Sequence, residues 1–167
     1  RGPHLLVDST GIKFLGEGEW KCKKYGPERR RQWRKLHIGI DAQTLQIRTI
    51  CVTSNDVSDA AVVADMLEQV PAGEALHSLT SDGAYDTQAV YEALRQRGCT
   101  PIIPPRKNAR IRKGTAFAYR NAAVAACRRL GRGVWKAWSG YHRRSLVETK
   151  MNCIKRLGER VMSRTFE

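Results

Sequence analysis

The feature that most limits the fold of this chain is a change of rhythm at Asn55. Before it come three β-compatible segments: residues 4–16, holding Leu5-Leu6-Val7 and Ile12-Lys13-Phe14; Leu36-His37-Ile38-Gly39-Ile40; and residues 47–52. A polar connection at 17–31 separates the first two, and a turn at Asp41-Ala42-Gln43-Thr44 joins the last two, which predicts a three-stranded antiparallel meander. After Asn55, helix and strand alternate. Residues 59–70 place Ala61, Val62, Asp65, Met66 and Gln69 at helical spacing, with Ser58 as N-cap. Residues 75–80 form a fourth strand, Asp86 or Thr87 caps a helix running to about Arg97, and 99–103 form a fifth strand stopped by Pro104-Pro105. Residues 106–113 are a basic loop, and 115–130 and 143–158 read as helices. The sum is an α/β fold, a five-stranded mixed sheet of three antiparallel strands then two parallel ones, with helices on both faces. Right-handed crossovers put strand four beside strand one. Asp8 and Asp82 then meet near the carboxyl end of strand four, where open α/β sheets bind ligands.

Charge says what kind of ligand. Residues 1–100 carry 13 Lys and Arg against 13 Asp and Glu, whereas residues 101–167 carry 17 against 3, so the net charge of +14 lies wholly in the second part. A surplus of this size attracts a polyanion by counterion release, which favours nucleic acid over an acidic membrane or an acidic protein. No apolar run approaches the roughly 20 residues of a membrane span, and no signal peptide precedes the first strand, so a soluble cytoplasmic protein is expected. Cys22, Cys51, Cys99, Cys127 and Cys153 are scattered without a CxxC pair, which argues against a disulfide framework or a zinc site and for reduced thiols. The length suits a single domain over 1–167, and Arg1 in place of an initiator Met suggests one domain of a longer polypeptide.

Aspartate is disfavoured in a buried strand, so Asp8 needs a reason. Phosphodiester chemistry supplies one. The attacking oxygen must lose its proton, the leaving oxygen must be stabilised, and the phosphate repels nucleophiles. Two Mg²⁺ ions about 4 Å apart meet these needs, held by carboxylates. Asp8 and Asp82 supply two acids from the sheet, and the third must come from a helix packed across it. Glu148 is the best candidate. At about 100° per residue, with Arg144 at zero, Tyr141 falls near +60°, Glu148 near +40° and Lys155 near +20°, all on one face. Beside a metal-binding Glu, Arg forks onto phosphate, Lys adds a point charge and Tyr stacks or hydrogen-bonds. Taken singly, each has a plainer explanation. Asp8 suits a satisfied core acid, Asp82 an ordinary Ser-Asp-Gly turn, Asp86 a helix cap, and Arg144 with Glu148 a surface ion pair. Their joint order on the predicted elements favours the site.

The spacing Tyr141-x2-Arg144-x3-Glu148-x6-Lys155 resembles the Y-R-E-K signature of bacterial insertion-sequence DDE transposases. Val7-Asp8-Ser9-Thr10-Gly11 and Ser81-Asp82-Gly83-Ala84-Tyr85-Asp86 are similar to that family's two Asp motifs. Gly16-Glu17-Gly18-Glu19-Trp20, Trp33-Arg34-Lys35-Leu36-His37 and Ile102-Ile103-Pro104-Pro105-Arg106-Lys107-Asn108 resemble its family five branch. The resemblance implies a ribonuclease H-like core that cuts transposon ends with water and then joins the freed 3′-OH to target DNA. It implies Asp8, Asp82 and Glu148 as metal and catalytic ligands, two Mg²⁺ ions replaceable by Mn²⁺, and Tyr141, Arg144 and Lys155 as grips on the transposon end. Further implied are double-stranded DNA as partner, a homo-oligomer assembled on it, and a place at the bacterial nucleoid. Such transposases usually carry an N-terminal DNA-binding region and a further C-terminal helix beyond this core. The alternatives are a truncated or inactive remnant that only binds DNA, and a nuclease of the same fold.

Further basic positions fit the same partner. Lys21, Lys23, Lys24, Arg30 and Arg31 interleave with Trp20, Tyr25 and Trp33, a mixture suited to a nucleic-acid backbone and stacked bases. Arg106 and Lys107 open the basic loop, and His142 and Arg143 sit inside the signature as further DNA contacts. Trp135 and Trp138 are expected to pack in the core.

Overall fold

In a computed structural model of the chain, the structure describes residues 2–14, 24, 33–158 and 160–161. Three long strands come first: β1 (His4–Phe14), β2 (Trp33–Asp41) and β3 (Ile47–Ser54). β1 pairs antiparallel with β2, Asp8 opposite Ile38, and β2 pairs antiparallel with β3. The alternation is tight: a Cβ on Gly39 would lie 2.3 Å from Thr49 Oγ1, so glycine lets β2 and β3 approach here. The β2–β3 turn is held by Asp41, whose side chain accepts from the Gln43 amide at 2.9 Å and the Thr44 hydroxyl at 3.1 Å.

The crossovers follow. A 3-10 turn at Asp59–Val62 leads into α1 (Val63–Glu68), then β4 (Ser78–Thr80), α2 (Gln88–Gln96) and β5 (Thr100–Ile102). β4 runs parallel to β1, with His4 opposite Ser78, and β5 runs parallel to β4. The strand order β3-β2-β1-β4-β5, three antiparallel then two parallel, is the expected one and agrees with a ribonuclease H-like arrangement. A short β6 (Arg160–Val161) adds to the far end of β1 at Lys13 and Phe14.

Two apolar layers hold the helices against the sheet. Leu5 and Val7 point to one face, where Met66 and Leu67 of α1, Val90, Tyr91 and Leu94 of α2, and Phe117 bury them. Leu6 points to the other face, where it joins Leu36, Ile38 and Ile40 beneath Val147 and Met151 of the last helix. Period-two alternation along β1 therefore puts Asp8 on the second face, under that helix.

Several local expectations are revised. The predicted helix over 59–70 is only a 3-10 turn and a short α1, and Ser58 makes no side-chain cap bond. Thr87, not Asp86, caps α2, its hydroxyl accepting from the Val90 amide at 3.4 Å. The helix over 115–130 starts as a 3-10 turn before α3 (Ala118–Leu130). An additional helix, α4 (Arg132–Trp138), follows at once, entered through Gly131 at φ 88°, a conformation that favours glycine. Gly140 at φ 72° then turns the chain into a 3-10 turn at Tyr141–Arg144, which runs on as α5 (Ser145–Leu157). Tyr141 thus precedes α5, and the 100° arithmetic holds only from about Arg144 onward.

Candidate active site

The site begins where β1 passes under the start of α5. Val147 and Met151 anchor α5 on Leu6, Ile38 and Ile40, and the neighbouring turn of the helix, Arg144 to Glu148, overhangs Asp8. Arg144 Nη1 donates to Asp8 Oδ2 at 2.5 Å, and Nη2 donates to Glu148 Oε1 in a close contact. One guanidinium, 136 residues along the sequence from Asp8, thus bridges the first and third predicted acids. Asp8 Oδ1 takes the Ser9 amide at 2.8 Å. Asp82 stands just past β4, where its Oδ1 accepts from the Ala84 amide at 2.8 Å and starts a 3-10 turn.

The electrostatics follow from how far each acid is enclosed. Burial lifts the Asp8 pKa above the ordinary carboxylate range, against the Ser9 amide and Arg144, and the charges of Asp82 and Glu148 raise it further. Asp8 and Arg144 are mostly enclosed, at 14% and 20% side-chain exposure, whereas Glu148 at 52% opens to solvent. The bridge therefore has an inner acid and an outer one.

Tyr141 is half-buried beside them. Its ring lies 6.0 Å from that of buried Trp135, with Lys136 Nζ 5.2 Å from its centroid. Burial pushes its phenol up, Arg144 opposes this, and Asp82 and Asp8 add to it. Lys155 lies half-buried near the end of α5, with no ion pair among the described residues. His142 and Arg143 are exposed and line a groove with His4, Leu6, Ser78 and Thr80, toward the start of β1 and away from Asp8. Arg106 and Lys107 are exposed just after β5. Lys24 is exposed, and Lys21, Lys23, Arg30 and Arg31 lie outside the described residues. Trp135 packs as expected, but Trp138 does not: it is 78% exposed. Cys51, Cys99, Cys127 and Cys153 are free thiols, and burial pushes Cys99 up to about 12.

One buried pairing escaped the sequence. Asp86 is buried against Arg120 of α3, Oδ1 to Nε at 2.6 Å and Oδ2 to Nη2 at 3.4 Å. Burial alone would raise its pKa, but Arg120 and the Arg106 amide hold it below the usual carboxylate range.

As donors for a hard divalent cation the three acids are chemically apt, all oxygen and all negative. Among the described residues no three acid, histidine or cysteine side chains converge closely enough to enclose an ion. The positive charge between Asp8 and Glu148 is that of Arg144.

With this geometry in hand, the whole chain, residues 1–167, matches the family described as Transposase DDE domain. The chain belongs to that family. This DDE domain is also 29% identical over 117 residues to a curated Burkholderia cepacia protein named as a transposase for insertion sequence element IS402. The match takes in 64% of this chain and 55% of that protein, so the DDE domain spans about half the length of its relative. No solved structure matches it.

Proposed function

We propose that this DDE domain is the catalytic core of a DNA transposase, cutting transposon ends with water and transferring the 3′-OH into target DNA. The observation that carries the reading is the Asp8–Arg144–Glu148 bridge, which ties an acid on the central strand to an acid on the helix above it, with Asp82 at the end of the neighbouring parallel strand. Asp8, Asp82 and Glu148 would hold divalent metal, Mg²⁺ with Mn²⁺ as substitute. When bound, that metal supplies charge to offset the phosphate and eases deprotonation of the attacking oxygen. Arg144 holds the inner and outer acids in register until a phosphate offers it a better fork, and Tyr141, braced on Trp135, shapes the wall the DNA end meets. Lys155 adds a point charge further along α5. Segments such as Ile102 to Asn108 support the family five branch. In this reading copies of the domain would assemble as a homo-oligomer on double-stranded DNA at the bacterial nucleoid; among the described residues no helix is long and apolar enough to cross a membrane.

The test is strand transfer of a labelled transposon end with Mg²⁺, comparing wild type with Glu148→Gln and Asp8→Asn. Both variants are expected to lose joining by at least about a hundredfold, the scale of removing one electrostatic catalytic group. Joining at the wild-type rate by either variant would remove that residue from the metal set.

A further inference from the structure

The segment after β5 combines two properties that seldom occur together, uncompensated charge and a fixed backbone. Arg106, Lys107, Arg112 and Lys113 are all exposed. Among the described residues none of the four has a carboxylate partner for its side chain. A loop carrying such a set of like charges would ordinarily splay and move. Here the side chains of the following helices hold its main chain. Arg120 Nη1 donates to Arg110 O at 2.7 Å, and Arg128 Nη2 donates to Ala109 O at 2.8 Å. Asn121 clamps Arg112 from both sides, its Nδ2 donating to Arg112 O at 2.7 Å and its Oδ1 accepting from Arg112 N at 3.0 Å. Arg132 donates to Pro105 O in a close contact, and Asp86 Oδ2 accepts from the Arg106 amide at 3.2 Å.

Three of these four basic side chains share one side. Arg106, Arg112 and Lys113 line a single hollow with Asp86, Thr87, Gln88 and Phe117, and the Arg112 guanidinium rests 5.4 Å from the Phe117 ring centroid. The segment also starts beside the proposed site, since a Cβ on Gly83, next to Asp82, would lie 3.4 Å from Pro104 O. A polyanion reaching Asp82 therefore runs onto these cations. Because the loop is already ordered, little conformational freedom remains to be lost when it binds.

We propose that residues 106–113 form a preorganised ledge that takes the DNA backbone flanking the phosphodiester to be cut, its shape set by Arg120 and Asn121 of α3. This rests on DNA being the substrate. Phosphate contacts of this kind fix position without reading sequence.

The experiment is anisotropy of a labelled duplex in chelator, so that no cleavage intervenes, over a series of salt concentrations. For the Arg106→Ala/Lys113→Ala double variant we expect the slope of log affinity against log salt to flatten by about 2, with affinity falling about tenfold at moderate salt, equally for any sequence. Asn121→Ala keeps every charge, so its slope should stay at the wild-type value while affinity falls several-fold and amide exchange at 109–113 quickens. Wild-type slope and affinity in the double variant would overturn the ledge while leaving the transposase reading intact. Quicker exchange in Asn121→Ala without loss of affinity would overturn its preorganisation. Salt-independent or undetectable binding by the wild type would remove DNA as the substrate, and the ledge with it.

Discussion

Among the described residues, two arginine–carboxylate contacts join the helices to the sheet region, and they are opposites. Asp86 and Arg120 are 1% and 3% exposed, doubly bonded to each other, and the remaining acceptor and donor positions are taken by the Arg106 amide and Arg110 carbonyl. Asp8, Arg144 and Glu148 form an open chain, with one acid enclosed and the other half in solvent. In the first contact hydrogen bonds outweigh burial and hold the acid's pKa down; in the second burial outweighs them and lifts it. A contact whose polar groups are all satisfied is a structural clamp. One in which an enclosed acid is left costly to ionise can still gain from a further positive charge, which is what a metal site requires.

The largest effect separating the two should come from Arg120→Met. It leaves Asp86 buried without its partner and frees the Arg110 carbonyl, so urea unfolding should show a loss of about 3–5 kcal/mol. The pH dependence follows from the lowered Asp86 pKa. The pair's stabilisation is fully present above the unfolded value of about 3.9, and it disappears as pH falls through the depressed folded value. Wild type should therefore lose stability steeply in acid, and Arg120→Met should lose less, because part of that contribution is already gone. Parallel acid limbs for the two proteins would mean that the pair contributes nothing.

Asp8→Asn should act in the other direction. The folded pKa of Asp8 is raised, so ionising it disfavours the native state, and the cost appears as pH rises through the raised value. An uncharged Asn avoids that cost, so the variant should melt above wild type at neutral pH and converge on it below about pH 4, where Asp8 is protonated in both states. Mg²⁺ should raise the melting point of wild type and leave Asp8→Asn unmoved. A variant that melts lower at neutral pH would show that Arg144 needs Asp8 more than burial penalises it.

The contrast also explains what could be seen in the sequence. Asp8 was legible because a charge inside Leu-Leu-Val-Asp breaks the composition of a strand, and Glu148 because it is one of 3 acids among 17 basic residues after position 100. The sheet was legible because alternation and right-handed crossovers leave few topologies. Arg120 was not, because nothing links it in the sequence to an Asp lying 34 residues earlier, and an acid beside Thr87 reads equally well as a helix cap. The α4 helix was hidden by its shortness and by Gly131 and Gly133, and the two-residue β6 by the absence of any pattern that so short a strand can carry. What escaped is what depends on tertiary partners rather than on local spacing.

The smallest expected effect sharpens the comparison most. Glu148 is half in solvent, and its contact with Arg144 is a helical i,i+4 pair. Glu148→Gln should therefore change unfolding free energy by no more than about 0.5 kcal/mol. Gln can still accept a hydrogen bond from Arg144, so α5 has no reason to leave Leu6 and Ile38. A near-zero change in stability alongside a large loss of joining would place Glu148 with the chemistry, since a purely structural acid cannot lose one without the other. A loss of stability near that of Arg120→Met would instead make the Arg144 bridge a second clamp and leave the domain without an open acid on α5.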